Sequence, residues 1–290
     1  MTDKPLLIAG ATGYGRWPEN TLEGARLCLE APIDGIEIDV QITADGHVVA
    51  HHDYRLSPDQ TRLEGAWLDG PGPPIKAMTL ADLRRYDVGR SRPGSAPTQR
   101  YPNRTDIDGV RVPTLRELLD VLKAAPGPRR LIYVEIKTDP RPEKTDTPEP
   151  ELVVDAVLRG LAGAGWMDAA KIIAFDWRVL RLVHERATAL RTAHLTITTP
   201  PMRDPARPPS PWTDGIDVRD HGGSDLAAVK AHGGSEWSPY YTDVTPERVA
   251  EAKALGLLVG PWGLSAGDDI RRMAALGVYS STVSGADWGD

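Results

Sequence analysis

Apolar runs of strand length recur along this chain and alternate with stretches where apolar residues return every three or four positions. The runs lie at 6–9, 35–41, 131–136, 172–174, 192–196, 237–239, 257–261 and 278–283. Each is short, bounded by polar or turn-forming residues, and rich in Ile, Val and Leu, which predicts buried strands. Helical spacing predicts helices over 22–31, 115–122, 151–162, 177–186, 246–255 and 268–276. The dipeptide Thr245-Pro246 followed by Glu247 is a helix start, with proline at the first helical position where its missing N–H costs nothing. Strand followed by helix, repeated, predicts parallel βαβ units. Eight such strands in 290 residues predict an α/β fold of the (β/α)8 barrel type. An open, doubly wound sheet shares the same periodicity and is the alternative.

One stretch interrupts the rhythm. Residues 54–112 are rich in Pro, Gly and Arg, including Pro71-Gly72-Pro73-Pro74. A connection of that length is usually functional or carries small elements of its own. We read it as an insertion after the second strand, lying over one mouth of a single barrel domain that spans residues 1–290. Its arginines suit either an anionic ligand or, more simply, a solvated basic face. The segment 140–150 mixes prolines with charges and reads as an exposed loop. No internal repeat of solenoid period is present.

Three charged groups sit where the apolar pattern does not call for them. In Gly35-Ile36-Glu37-Ile38-Asp39-Val40, Glu37 and Asp39 are two apart on a strand and share one face. Two carboxylates inside an apolar run repel each other and are costly unless a cation lies between them. Hard divalent ions such as Mg²⁺ or Ca²⁺ take such oxygen ligands; a solvated pair at the strand's exposed end is the simpler alternative. A second pair, Glu135 and Lys137, closes the strand at 131–136 in the same manner. In a parallel barrel both pairs fall at the C-terminal mouth, where such barrels hold their active sites. Glu135 then completes a three-carboxylate metal site, and Lys137 stands beside it for an anionic substrate. The third group is Val49-Ala50-His51-His52-Asp53. The turn at Thr43-Ala44-Asp45-Gly46 predicts that it folds back over the same mouth, with one of its two histidines facing the site. A histidine beside a metal-bound phosphate can protonate a leaving oxygen.

Composition narrows the partners. Lys and Arg number 34 against 41 Asp and Glu, a formal charge of −7, which argues against nucleic acid as a partner. Cys28 is the only cysteine, so neither an intrachain disulfide nor a CxxC zinc site is available. The apolar run near the N-terminus is too short for a signal-peptide core. No segment approaches the roughly 18 apolar residues of a membrane span. The expectation is a cytoplasmic protein with no stable membrane insertion, acting on a small phosphorylated substrate.

Taken together, Pro18-Glu19-Asn20-Thr21, Glu37-Ile38-Asp39, His52-Asp53 and Glu135-Ile136-Lys137 resemble the glycerophosphodiester phosphodiesterase family in order and spacing. Val112-Pro113-Thr114-Leu115, Ala174-Phe175-Asp176-Trp177 and Pro261-Trp262 match as well. The resemblance covers nearly the whole chain. It implies a (β/α)8 barrel with a small insertion, and a divalent cation held by Glu37, Asp39 and Glu135. It further implies catalysis by His52 with Lys137, and substrate contacts from Glu19, Asn20 and Trp262. It also implies a His-Arg pair at the end of the first strand, where this chain has Gly10-Ala11. The last strand departs too, reading Ser281-Thr282-Val283-Ser284. Losing an acid/base group costs roughly 10²–10⁴ in rate. Three readings follow: a changed reaction in which phosphate or diphosphate leaves (lyase, cyclase or transferase), a divergent hydrolase, or a non-catalytic binding protein. Two small residues in place of His-Arg also predict free space at that point of the mouth.

Overall fold

The structure is a computed structural model that describes residues 4–141, 145–198, 207 and 210–285. The predicted strands form its centre: β1 (Leu6–Ala9), β2 (Gly35–Ile42), β3 (Leu131–Ile136), β4 (Ala170–Ala174), β5 (Arg191–Thr196), β6 (Glu236–Pro239), β7 (Leu258–Val259) and β8 (Ser280–Val283). They are parallel, in the spatial order β7-β6-β5-β4-β3-β2-β1-β8. No regular ladder joins β7 to β8. Instead Tyr279 N–H donates to Val259 O at 2.7 Å and Thr282 N–H to Pro261 O at 2.9 Å, nearly closing the barrel. The alternative of an open sheet is thereby set aside.

The helices between barrel strands are α1 (Leu22–Cys28), α2 (Leu115–Ala124), α3 (Pro150–Ala164), α4 (Trp177–Arg186), α5 (Asp225–Ala231), α6 (Pro246–Ala254) and α7 (Gly267–Leu276); two short ones, Leu80–Leu83 and Ala96–Arg100, lie in the segment 54–112. In α2 the local code is complete. Thr114 caps the first turn and Glu117 reaches back to the Thr114 N–H at 2.8 Å. Leu115, Leu118, Leu119 and Leu122 form its buried stripe. The short α5 escapes sequence reading because only Leu226, Ala228 and Val229 are buried on it, too few to set up a period.

Strand alternation divides the core into two layers. Ile36, Ile38, Val40, Val134 and Ile136 point outward into the main core beneath the helices. Ile8, Tyr133, Ile173, Ala193 and Leu195 fill the barrel. Since side chains alternate along a strand, Glu37, Asp39, Glu135 and Lys137 share the inward parity of Tyr133. Deeper in the barrel, Lys171 Nζ lies 2.7 and 2.6 Å from the two carboxylate oxygens of Glu236. It also stands 4.0 Å above the ring of Tyr133.

The stretch 54–112 carries its own small elements. Arg62–Leu63, Ala66–Trp67 and Tyr86–Asp87 form an antiparallel three-stranded sheet. Leu56, Ile75, Met78, Leu83 and Val112 pack beneath it with Val49. Some of its arginines brace the segment through local acids: Arg62 pairs with Asp87 and Asp108, and Arg90 reaches Asp108 at 2.6 Å. Arg55 and Arg100 line the cavity at the barrel mouth instead. Within the predicted loop 140–150, residues 142–144 lie outside the described residues.

Candidate active site

Strand register brings the charged positions together. In the β2–β3 ladder Asp39 is level with Glu135, and Glu37 with Tyr133. Oxygens of Glu37, Asp39 and Glu135 all lie within 4.8 Å of one another, and all three residues are buried. Lys137 joins them, with Nζ 2.9 Å from Asp39 Oδ1 and 2.6 Å from Glu135 Oε1. Asn20 donates through Nδ2 to Asp39 Oδ2 at 2.8 Å and accepts the Asp39 N–H through Oδ1 at 3.0 Å. Both amide atoms of Asn20 hold Asp39 in place. Glu37 Oε2 accepts the Ala11 N–H at 2.7 Å, while its buried Oε1 has no partner.

The electrostatics follow from this packing. Burial, with Asp39 and Glu135 adding to it, pushes the Glu37 carboxyl well above the usual range. Burial also raises Glu135, partly opposed by Lys137. Burial works against charge at Asp39 too, but Lys137, His52 and Asn20 outweigh it and bring it down to about 2. Burial acts to lower Lys137, yet Asp39 and Glu135 hold it far up in its charged form. Three carboxylates outnumber the one ammonium in this buried cluster, and the raised Glu37 and Glu135 carboxyls register that crowding. A buried oxygen without a partner, an all-oxygen donor set and that crowding fit a hard divalent cation.

The hairpin predicted after β2 is present. Val48–Ala50 pairs antiparallel with β2, and the His51 N–H donates to Asp39 O at 2.9 Å. This places His52 on the cavity that Glu37, Asp39 and Glu135 also line. Its Nδ1 lies 2.8 Å from Asp53 Oδ1, and the side chain is 54% exposed. The Lys137 charge disfavours the imidazolium, but Asp39 and Asp53 outweigh it and raise His52 to about 9. His51 turns away to the Asp53 carbonyl at 2.8 Å. Glu19 lines the same cavity, and burial chiefly raises its carboxyl to about 7.

The first-strand end is a strained turn. Ala11 and Thr12 have φ of 44° and 56°, and Asn20, whose N–H donates to Ala11 O at 2.8 Å, has 54°. Left-handed backbone costs roughly 1–2 kcal/mol for each non-glycine residue. The strained turn aims the Ala11 N–H at Glu37. The free space expected at Gly10 is only partly there: a Cβ on Gly10 would lie 2.9 Å from Ser284 Oγ and 3.3 Å from Thr282 Cγ2. Small polar side chains at the end of β8 occupy that side. No other histidine lines the cavity among the described residues. His194 faces outward instead, with Nε2 2.9 Å from His232 Nδ1 and its ring against Trp177.

The cavity holds about 1070 Å³. Trp262 lines it, with Tyr240 at 4.9 Å and Phe175 at 5.6 Å between ring centroids. Tyr14, Tyr54, Tyr101, Trp212 and Tyr240 also line it and were not singled out by sequence reading. Tyr240 directly follows β6, so its position just past a strand end was the available signal. Tyr54 and Tyr101 reach the mouth from the segment 54–112, whose path no periodicity announces.

A barrel of parallel strands with buried acids gathered at their C-terminal ends defines an enzyme-type (β/α)8 protein. Residues 12–281 match the profile of the glycerophosphoryl diester phosphodiesterase family, and the chain belongs to that family. It is 27% identical over 279 residues to a glycerophosphodiester phosphodiesterase of Bacillus subtilis (strain 168), covering 95% of this chain and 82% of that protein. The crystal structure of a protein assigned as a glycerophosphoryl diester phosphodiesterase from Silicibacter pomeroyi DSS-3 superposes with a TM-score of 0.86. It shares 32% identity, covering 100% of this chain and 92% of the other. An Oleispira antarctica phosphodiesterase, solved with its product sn-glycerol-3-phosphate, shares the fold at a TM-score of 0.68 and 20% identity, over 97% and 93% of the two chains. No helix among the described residues is long and apolar enough to cross a membrane.

Proposed function

We propose that this family member is a divalent-metal-dependent enzyme that breaks a P–O bond in a small phosphorylated substrate, by a route other than ordinary attack of water on a glycerophosphodiester. The observation that carries the reading is the buried Glu37–Asp39–Glu135 cluster, with its crowded carboxyls, set beside His52. These three carboxylates would hold Mg²⁺ or Ca²⁺, whose charge would stabilise the negative phosphoryl oxygens. Lys137 adds a fixed positive charge at the same mouth. Asn20 keeps Asp39 in register. His52, anchored through Nδ1 by Asp53, presents Nε2 as the proton donor to the leaving oxygen.

The family pattern has a His-Arg pair where this chain has Gly10-Ala11, so the site lacks that base and that phosphate clamp. Attack by a hydroxyl of the substrate on its own phosphorus needs no separately bound and activated water. That bond forms as the P–O bond to the other alcohol breaks; the attacking hydroxyl gives its proton to solvent, His52 protonates the departing oxygen, and the product is a cyclic phosphate. Hydrolysis is the second reading. It is supported by the relatives named glycerophosphodiester phosphodiesterase, and by Glu19, a carboxyl at about 7 that can take a proton from water at neutral pH. A silent binding protein is the third.

Phosphorus NMR on glycerophosphocholine with Mg²⁺ or Ca²⁺ separates the three. A transient or final cyclic phosphate that does not depend on Glu19 supports the first reading. Direct formation of glycerol phosphate, lost in Glu19→Gln, supports the second. No turnover of this or of prenyl diphosphate substrates, with no calorimetric binding of either ion, overturns both.

A further inference from the structure

The wall of the cavity changes character around the barrel. At the ends of β2 and β3 it is built from Glu37, Asp39, Glu135 and Lys137. Continuing the observed ladders by one residue puts Phe175 level with Leu195, and Tyr240 level with Ile197. Tyr240 and Trp262 are themselves bridged. Phe175, Leu195, Ile197, Tyr240 and Trp262 therefore form a row along the ends of β4 to β7, and Trp212 lines the same cavity. None of the six is charged. Phe175 and Tyr240 both meet Trp262 edge-on or tilted, the arrangement of a packed aromatic surface. The indole N–H of Trp262 is buried without a partner.

This row opens into the same cavity as the carboxylates. At about 1070 Å³ the cavity reaches the upper end of the range of roughly 300–1,000 Å³ that accommodates drug-sized ligands. A phosphorylated glycerol would touch only the charged side. We propose that the β4–β7 arc is a subsite for a large hydrophobic group carried by the substrate, so that the chain acts on phosphate esters of long-chain or otherwise bulky hydrophobic alcohols. The inference rests on the phosphate-directed reading above only for which end of the ligand meets the carboxylates.

Dodecylphosphocholine below its micellar concentration and glycerophosphocholine share a choline phosphate and differ in the alcohol, so their calorimetric titration into the full chain with Mg²⁺ tests the subsite. Each methylene withdrawn from water contributes roughly fourfold in affinity. The dodecyl compound should therefore bind ~10²-fold more tightly, with a more negative heat-capacity change. Phe175→Ala and Trp262→Ala, checked for fold by circular dichroism, should each reduce that advantage by ~10-fold. Equal affinity of the two ligands in the wild type overturns the proposal without recourse to any variant. An advantage untouched by both substitutions, in folded proteins, overturns it as well. Titration with 1-decanol, which has no phosphate, separates the two claims. Decanol binding that Phe175→Ala weakens, alongside absent phosphate chemistry, keeps the subsite and removes the reading above. Normal turnover of glycerophosphocholine with no preference for the dodecyl ligand removes the subsite alone.

Discussion

Two groups of charges are buried inside this barrel, and they differ in one respect that separates structure from function. Deep between β4 and β6, one ammonium, Lys171, meets one carboxylate, Glu236, with both oxygens bound and aromatic rings around it. At the mouth, three carboxylates share one ammonium, and Glu37 Oε1 is bound to nothing. Both groups carry a desolvation cost of several kcal/mol per ion. Only the deep pair is balanced from within the chain. The mouth holds more carboxylates than ammonium groups, and that imbalance is what supports the cation proposed there.

Breaking the balanced pair should give the largest effect. Lys171→Met strands a buried carboxylate and should cost about 3–5 kcal/mol in urea unfolding, with much of it restored by adding Glu236→Leu. Equal stability of the single variant would remove the contrast. At the mouth the sign should reverse. Glu37→Gln removes one of three repelling groups, so stability in the absence of metal should hold or rise, while activity falls by about 10²–10³. The wild type should gain about 2.7 kcal/mol at a hundredfold excess of Mg²⁺ or Ca²⁺ over its dissociation constant, and the variant should not. Thermal melts with and without chelator read both effects.

A smaller effect is expected from rebuilding the first-strand end. Gly10→His with Ala11→Arg should raise hydrolysis of glycerophosphocholine by ~10². The Cβ contact with Ser284 predicts that adding Ser284→Ala improves the gain. A steady-state assay of the double and triple variants against the wild type checks it, and no gain in a folded triple variant argues against the assignment of that corner.

The smallest effect lies outside the barrel, where the contrast can be sharpened with neutral groups. Burial holds His194 well below its ordinary value, with His232 adding to it. Burial also lowers His232, against the pull of Asp214. Groups lowered on folding bind fewer protons in the folded state. Their stability is complete above the unfolded value of about 6.5 and declines as the pH falls below it. Urea midpoints should drop on moving from neutral pH towards 5.5, and His194→Gln should flatten that drop. An identical slope in the variant would show that other groups carry the pH dependence.

Much of this was legible in one dimension because it depends on period. Every predicted barrel strand is present, within two residues at each end. The inward parity of Glu37, Asp39, Glu135 and Lys137 follows from alternation along β2 and β3 alone. Asn20 was legible only as part of a motif: a single buried amide that both donates to and accepts from Asp39 depends on a turn 19 residues away. Likewise Tyr54 and Tyr101 come from a segment whose proline-rich sequence sets no period.

The sequence by itself determined the strand–helix alternation, the carboxylates two apart on one strand face, the histidine hairpin after β2, and the two small residues Gly10-Ala11 after the first strand. These are local facts, governed by backbone geometry and spacing. Tertiary structure alone decided that Lys137 lies between two carboxylates while Glu37 keeps an unpaired oxygen. It also decided that the end of β8 lies against Gly10, that His194 faces away from the mouth, and that aromatic side chains from distant loops meet the ends of β4 to β7. Each of those depends on which strand lies beside which. Burial and charge balance are sums over neighbours that the chain acquires only when the barrel closes.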